Sequence, residues 1–418
     1  MKKIIALLLA VMMVASLFAA CAPADTGSST PDNADKAPEK ITLTVWGPSE
    51  DQADDNHYLK AICDKFAKAH PEYEITWNFG VCSEGDAGTK VTQDPSTAAD
   101  VYMFANDQLG ALIQANAIAK LGGDQLAQVK ADNSAAMVAT VSDAEGNVYG
   151  VPYAINTWFM YYDKSVYTEE DIKSLDAMMA KKTVAFPLTN TWYVPSFYYA
   201  NGGTMFGDGT DGSKGIDFGG DKGTAATKYL AAAVAAGTLI DDANGSGLDD
   251  LRNGKVGAIF SGTWDATKVA EALGENYGAA QLPCITIDGE SKQLKSFAGS
   301  KALGVNPNSK HLKAAYQLAA YLGSAEAQEL HYEMRDGGVV PCAASVLSGD
   351  KFSTNVAAVA QEATFSNTSV VQPSIPEMGA YWSNAESMGK GLANKEVTVD
   401  NAAEKTEAWN TAINNTGL

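Results

Sequence analysis

The residues from Ile41 onward predict an α/β protein of two domains, with helices covering a mostly parallel sheet. Two observations lead there. Strand-like and helix-like patterns alternate along the chain, which is the signature of helix-covered parallel strands. Residues 41–418 also exceed what a single hydrophobic core usually serves.

The first unit is strand, helix, strand. Ile41-Thr42-Leu43-Thr44-Val45-Trp46 is a β-rich run ended by Gly47-Pro48. Leu59, Ile62, Cys63 and Phe66 recur at helical spacing until Pro71, and Ile75 to Phe79 reads as the next strand. Val101-Tyr102-Met103-Phe104 is a short buried strand feeding a helix from about Gln108 to Ala115. In the second half, Val256 to Phe260 is strand-like, Ala266 to Leu273 is helical, and Leu312 to Leu322 is an alanine-rich helix. Val399 to Ile413 closes the chain as an amphipathic helix. No internal repeat of fixed period is visible.

The N-terminus sets the expected compartment. Lys2-Lys3 precede an uncharged run from Ile4 to Ala20, a signal-peptide pattern over residues 1–20. The run ends in Ala19-Ala20-Cys21, which resembles the lipobox of bacterial lipoproteins. Cys21 would then be the acylated N-terminus, and residues 21–40, poor in large apolar side chains, a disordered tether. The expected location is the outer face of the cell membrane.

The formal charge is -20, and losing Lys2 and Lys3 makes it -22, so nucleic acid and other polyanions are poor partners. Besides Cys21 there are Cys63, Cys82, Cys284 and Cys342, an even number suited to disulfides outside the cytosol. A Cys63–Cys82 pairing is favoured because both fall in one helix-to-strand unit. Zinc is not expected: there is no C-x-x-C, and His57, His70, His311 and His331 are scattered.

The stretch from Gly207 to Gly220 formally matches G-x-G-x-x-G, but Asp208 and Asp211 would repel a phosphate and the spacing fails an EF-hand. It reads as a glycine-rich hairpin. There is no G-x-S-x-G, Walker loop or H-E-x-x-H, so no cofactor and no enzyme class is indicated.

Many aromatics sit beside amides, carboxylates and turn residues: Tyr153 to Tyr162, Trp192-Tyr193, Trp264-Asp265 and Tyr381-Trp382. A sugar ring has an apolar face and a hydroxyl edge, and such clusters offer both a flat ring and polar groups.

The order of segments resembles the maltose and maltodextrin-binding proteins of ABC sugar importers over nearly all of residues 41–418. The segments are ITLTVWGPSED from Ile41, DVYMFANDQLGALIQANAIAKL from Asp100, VYGVPYAINTWFMYYDKSVY from Val148 and FPLTNTWYVPSFYYANGGTMF from Phe186. They continue as LRNGKVGAIFSGTWD from Leu251, SFAGSKALGVNPNSKHLKAAYQLAAYL from Ser296 and PSIPEMGAYWSNAESMGKGLANKEVTVDNA from Pro373.

That resemblance implies a two-lobed periplasmic-binding-protein fold with a ligand cleft between discontinuous domains. Lobe 1 would be residues 41–155 with 300–340, and lobe 2 residues 156–299 with 341–418. Three hinge crossings would fall near Ala154 to Trp158, Ala298 to Leu303 and Gly337 to Ser345. Trp192, Tyr193, Trp264 and Trp382 match the family's stacking aromatics, and Phe104 stands where a tryptophan is often found. Asp107 matches an acceptor of sugar hydroxyls, and Glu50 or Asp51 falls near the acidic position after the first strand. Asn156 and Asn190 stand where the best-known members look to have glutamate; Gln108 and Glu386 stand where arginine is familiar. Met378 and Glu84 are rim candidates.

The implied activity is capture of a maltodextrin-type oligosaccharide by cleft closure and delivery to ABC permease subunits, by a monomer held to the membrane through its lipid. Three alternatives stay open on the residues. One is a binding protein for another oligosaccharide or a polyamine, which would need carboxylates converging on the aromatics. Another is a surface glycoside hydrolase with Asp107 and Glu50 or Asp51 as its pair. The third is an adhesin.

Overall fold

Strand β1 (Glu39–Gly47) buries Ile41, Leu43 and Val45 on one face while their neighbours face outward, the two-residue period that places a strand on a core. The computed structural model describes residues 37–53 and 57–415. The expected signal peptide, Cys21 and the tether as far as residue 36 lie outside the described residues. The tether is shorter than expected at its far end, because Glu39 and Lys40 already belong to β1.

Helices of eight or more residues are numbered here. Strand β1 is followed by α1 (Tyr58–Ala69), whose first turn is capped by His57 Nδ1 accepting from the Lys60 N–H at 3.0 Å. Its buried stripe, Leu59, Ile62 and Phe66, is the one read from the spacing. Then come β2 (Tyr73–Val81), β3 (Val101–Ala105), α2 (Gly123–Asp132) and β4 (Val151–Asn156). After the first passage between lobes come β5 (Phe159–Asp163), β6 (Val184–Phe186) and the antiparallel hairpin β7 (Thr204–Met205) with β8 (Ile216–Asp217). That hairpin is the glycine-rich segment, and its Asp208 and Asp211 accept from Thr210 and Ser213 in local turns. Next are α3 (Gly220–Ala236), β9 (Leu239–Asp241), β10 (Ala258–Ser261), α4 (Ala266–Leu273), β11 (Tyr277–Ala280) and the hairpin β12 (Cys284–Ile287) with β13 (Glu290–Gln293). The chain ends with β14 (Ser296–Val305), α5 (Leu312–Leu322), α6 (Ala325–Met334), α7 (Val356–Asn367), β15 (Ser369–Val371), α8 (Met378–Ala393) and α9 (Ala402–Asn414).

Two sheets result, one per lobe. The first runs β15-β14-β3-β1-β2 with β4 also paired to β14, and the second runs β11-β5-β10-β6-β9. Each is mixed, which corrects the expectation of mostly parallel sheets. Pairs β1/β3, β6/β10, β6/β9 and β14/β15 are parallel, but β14 meets β3 and β4 antiparallel and β5 meets β10 and β11 antiparallel. The reversed strands are those that begin just after, or run through, a passage between the lobes. They enter each sheet from the opposite end to the βα units.

Strand β14 carries one such passage. Its Phe297 packs in the core of the second sheet with Trp158, Phe186 and Trp409, and Ala298 in a small cluster between the lobes. Its Ala302, Leu303 and Val305 pack in the core of the first sheet with Leu43, Phe66 and Tyr102. The β4 to β5 connection repeats this within five residues, from Ala154 through Ile155 to Trp158. The third passage is spread out: residues 344–347 and 350–353 form short helical turns on the α6 side, with Lys351 3.7 Å from Glu329, and the chain passes over only with α7. Among the described residues no helix is long and apolar enough to cross a membrane.

The expected Cys63–Cys82 disulfide is absent: Cys63, Cys82, Cys284 and Cys342 are all free thiols. Cys63 lies on the buried stripe of α1, where burial pushes its thiol far up, and Cys82 turns its sulfur to the Ser83 carbonyl at 3.5 Å. A bridge between positions 63 and 82 would contribute about 3 kcal/mol by restricting the unfolded chain. The melting temperature is therefore expected to be the same with and without dithiothreitol, and a fall of several degrees under reduction would contradict free thiols.

Candidate ligand-binding cleft

Three cavities join along the groove between the lobes, sharing walls. The first, about 560 Å³, is lined by Asn190, Thr191, Tyr193, Asp242, Trp264, Asp265, Trp382 and Glu386 among others. The second, about 330 Å³, is lined by Ala105, Asn106, Asp107, Asn156, Thr191, Trp192, Gln372 and Trp382. The third, about 270 Å³, holds Glu50, Glu84, Asn156, Trp264, Lys301 and Arg335. Trp382 and Thr191 border the first two, Trp264 the first and third, and Asn156 the second and third.

Local structure explains how the aromatic wall stands up. Asn190 Oδ1 accepts from the Trp192 N–H at 2.9 Å, an Asx turn that presents Trp192 from the loop after β6. The indole of Trp192 donates to Gln372 Oε1 at 2.9 Å, and its ring lies 6.2 Å from that of Trp264, tilted by 35°. Tyr193 is packed behind, stacked on Trp158 at 4.7 Å. Trp264 keeps 50% of its surface exposed, which is unusual for the largest apolar side chain. Trp382 is braced edge-on by Phe297 and Tyr381, and the Tyr381 hydroxyl donates to the Thr191 carbonyl at 2.8 Å.

Asp107 sits on the first lobe just after β3. Its side chain is exposed to solvent but set in the concave groove, where the protein around it disfavours the charged form and pushes its carboxyl up to about 6 against hydrogen bonds from its own and the Gln108 backbone. Glu84 would also be raised by burial, but Lys301 at 2.9 Å and the Tyr153 hydroxyl at 2.9 Å bring it below the usual range.

Three expected site residues do not reach the groove. Phe104 is fully buried, because β3 lies between β14 and β1 with a covered face on each side, and its ring packs on Tyr102 at 6.0 Å. Asp51 is fully buried beneath the groove, accepting from His331 Nε2 at 2.9 Å and from Arg335 Nη1. Those two partners, across 280 residues of sequence, hold its carboxyl below the usual range despite the opposing effect of burial. Met378 turns into the core of the second lobe and lines none of the three cavities. Gln108 is occupied with the Glu84 loop, donating to the Glu84 carbonyl at 2.9 Å and accepting from the Gly88 N–H.

Asp242, Asp265, Thr191, Gln372, Lys301 and Arg335 line the groove without having been singled out. Asp265, named only as the neighbour of Trp264, and Thr191, between Asn190 and Trp192, could have been found from their neighbours, whereas Asp242, Gln372, Lys301 and Arg335 carry no local signal, since each is brought in by folding from a segment away from the aromatics.

Two expectations follow. Asp51→Ala leaves His331 and Arg335 without their buried partner and should lower stability by about 3–5 kcal/mol in denaturant unfolding; a loss under 1 kcal/mol would contradict a buried ion cluster. Because the folded state holds the Asp107 proton more tightly than the unfolded chain, stability falls as pH rises from about 4 to about 6. Asp107→Asn should remove that part of the pH slope in thermal melts and leave the protein more stable above pH 6, and an unchanged slope would refute the raised carboxyl.

The geometry meets known proteins here. A 27% identical relative over 92% of this chain and 92% of its own is the galactooligosaccharide-binding protein of Bacillus subtilis strain 168. The maltooligosaccharide ABC transporter solute-binding lipoprotein of Streptococcus pneumoniae R6 is 28% identical over 88% of this chain and 85% of its own. A solved structure whose description reads "with acarbose" is 49% identical, covers 90% of this chain and 99% of its own, and superposes with a TM-score of 0.83. The family model described as bacterial extracellular solute-binding protein matches residues 61–360, and the chain belongs to that family.

Proposed function

We propose that this protein captures maltodextrin-type oligosaccharides outside the cell by closing its lobes around them, and presents them to the permease of an ABC importer. The observation that carries the reading is the wall of Trp192, Trp264 and Trp382 along a groove that also presents amides, hydroxyls and carboxylates. Rings of that kind cover the C–H faces of successive sugar units, and Asp107, Asn156, Asn190 and Glu50 take the hydroxyl edge. The Streptococcus relative is named for maltooligosaccharide and the Bacillus relative for galactooligosaccharide, so both names support an oligosaccharide cargo and the first supports the maltodextrin type.

The lobes of this proposal are residues 41–155 with 300–340 and residues 156–299 with 341–418, with residues 344–353 travelling with the first. Only the closed form lets Asp107 on one side and Trp264 on the other touch one ligand, so the ligand favours closure by its differential contacts. The sugar leaves unchanged, without catalysis. Acylation of Cys21 would hold a monomer near its permease, two acyl chains being sufficient for stable attachment.

Isothermal titration of the purified chain with maltotriose, with a β-linked oligosaccharide and with spermidine tests the cargo. Maltotriose should bind saturably, with a micromolar Kd corresponding to about 8 kcal/mol. Trp264→Ala should weaken it by at least about 2 kcal/mol, near thirtyfold. Binding should also weaken below about pH 6, as Asp107 gains a proton and ceases to be a pure acceptor. Binding of the β-linked sugar alone would overturn the cargo, and recovery of cleaved maltotriose would overturn capture without chemistry.

A further inference from the structure

A sugar hydroxyl both donates and accepts a hydrogen bond, whereas an ionised Asp107 only accepts. Among the described residues no lysine or arginine lines the second cavity, so the oxygen atoms of a sugar there must find their donors among amides, Thr191 and the indoles. The Trp192 indole is already engaged with Gln372 Oε1.

Two of the amides have one end fixed and the other unclaimed. Asn106 is 2% exposed, its Oδ1 accepts from the Ser300 N–H at 2.9 Å, and its Nδ2 is buried with no partner among the described residues. A backbone N–H only donates, so the oxygen of this amide must face Ser300 and its NH2 group must face away. A buried donor left without an acceptor is costly, and folded proteins keep few of them. Gln372 is 3% exposed and built alike: its Oε1 faces the Trp192 indole, which also only donates, and no described residue accepts from its Nε2.

Both residues line the second cavity. They also flank the crossing of β14 at Gly299. Asn106 holds the Ser300 N–H on one side, and the Gln372 backbone N–H donates to the Ala298 carbonyl at 3.1 Å on the other. Asn106 belongs to the first of the proposed lobes and Gln372 to the second, so a ligand touching both spans the passage between them.

Resting on the sugar-binding reading above, we propose that Asn106 and Gln372 are two further ligand-binding residues, whose Nδ2 and Nε2 groups donate to hydroxyl oxygens of a sugar in the second cavity. Asp107 takes hydroxyl hydrogens of the same sugar, and Trp192 or Trp382 covers its ring. The two amides thereby read where hydroxyl oxygens stand, and they do so from side chains already held by the strand crossing, which limits how far they can shift to suit a different sugar.

The test is isothermal titration of the purified chain, and of Asn106→Asp and Gln372→Glu, with maltotriose and its monodeoxy analogues, in which one hydroxyl at a time is replaced by hydrogen. Each variant keeps an oxygen for its donor-only partner, the Ser300 N–H or the Trp192 indole, and turns the NH2 donor into a second acceptor. An amide with a purely structural part would therefore leave binding as it was. Each variant should bind maltotriose about tenfold more weakly, with a thermal melt showing that it is folded. The decisive readout is coupling: the analogue lacking the accepting hydroxyl should bind the unaltered chain about tenfold more weakly than maltotriose does, and bind the variant about as well as maltotriose does. Gln372→Glu keeps the test open if the added charge of Asn106→Asp beside Asp107 disturbs the fold. Variants that bind every analogue in the same ratio to maltotriose as the unaltered chain would overturn these two roles and leave the proposed function standing. Silence of the unaltered chain toward maltotriose would overturn both.

Discussion

The pairing of β14 with its neighbours is the constraint on which the rest depends. One strand gives residues 296–298 to β15, 299–303 to β4 and 301–305 to β3, so its backbone hydrogen bonds and its side chains tie both cores to one line. At the crossing the chains come too close for a side chain at Gly299: a Cβ there would meet the Asn156 carbonyl at 2.7 Å and Asn106 Oδ1 at 2.8 Å. That same Asn106 accepts from the Ser300 N–H at 2.9 Å, and Asn106 and Asn156 both line the groove. The seam that joins the lobes is thus also the floor on which the site is built.

Buried polar bonds define that seam more tightly than apolar packing would. Thr157 shares a bond with Ser296 at 2.8 Å and donates to the Phe297 carbonyl at 2.7 Å, while Gln361 on α7 donates to the Thr157 carbonyl at 3.0 Å. Thr140 donates to Ser300 at 2.6 Å. Such directional bonds, costly to leave unmade in a buried setting, restrict how the passages can bend without filling the groove. The buried Asp51, His331 and Arg335 cluster plays the matching part on the first lobe, anchoring the loop after β1 to α6 and leaving Glu50, one residue earlier, free to face the groove.

The groove is electrically uneven along its length. Its first cavity is acidic, its second near neutral with Asp107 as the titrating group, and its third mixed. The chain's charge of -20 does not by itself imply this, since most carboxylates are on solvated faces or in exposed pairs. What matters is which few are drawn into a concave place where water screens them poorly.

Much of the fold was legible along the chain. Leucine and phenylalanine spacing in α1, alternation in β1, and the alanine-rich stripe of α5 are local patterns whose periods dictate the element. The strand orientation was not legible, because β14 and β5 reverse only through the passages between lobes. Aromatics beside amides, carboxylates and turn residues, with the resemblance, pointed to the aromatic wall, and Trp192, Trp264 and Trp382 do line the groove. Phe104 and Met378 show the limit of such reading: at a given sequence position the same side chain faces a ligand or a core depending on which elements pack around it, neighbouring strands for Phe104 and the second-lobe core against α8 for Met378.

By itself, then, the sequence determined the helices and strands, an α/β chain of two domains and the clustering of aromatics beside polar residues, because each depends on the period or composition of short segments, while the two-lobed cleft was implied only by the resemblance. Tertiary structure alone decided that Asp51 is a buried anchor, that Cys63 and Cys82 stay apart as thiols, and that Asp242, Asp265 and Glu386 share one cavity. Those outcomes depend on which side chains meet across tens to hundreds of residues, and burial and charge proximity, which set their chemistry, exist only once the chain has folded.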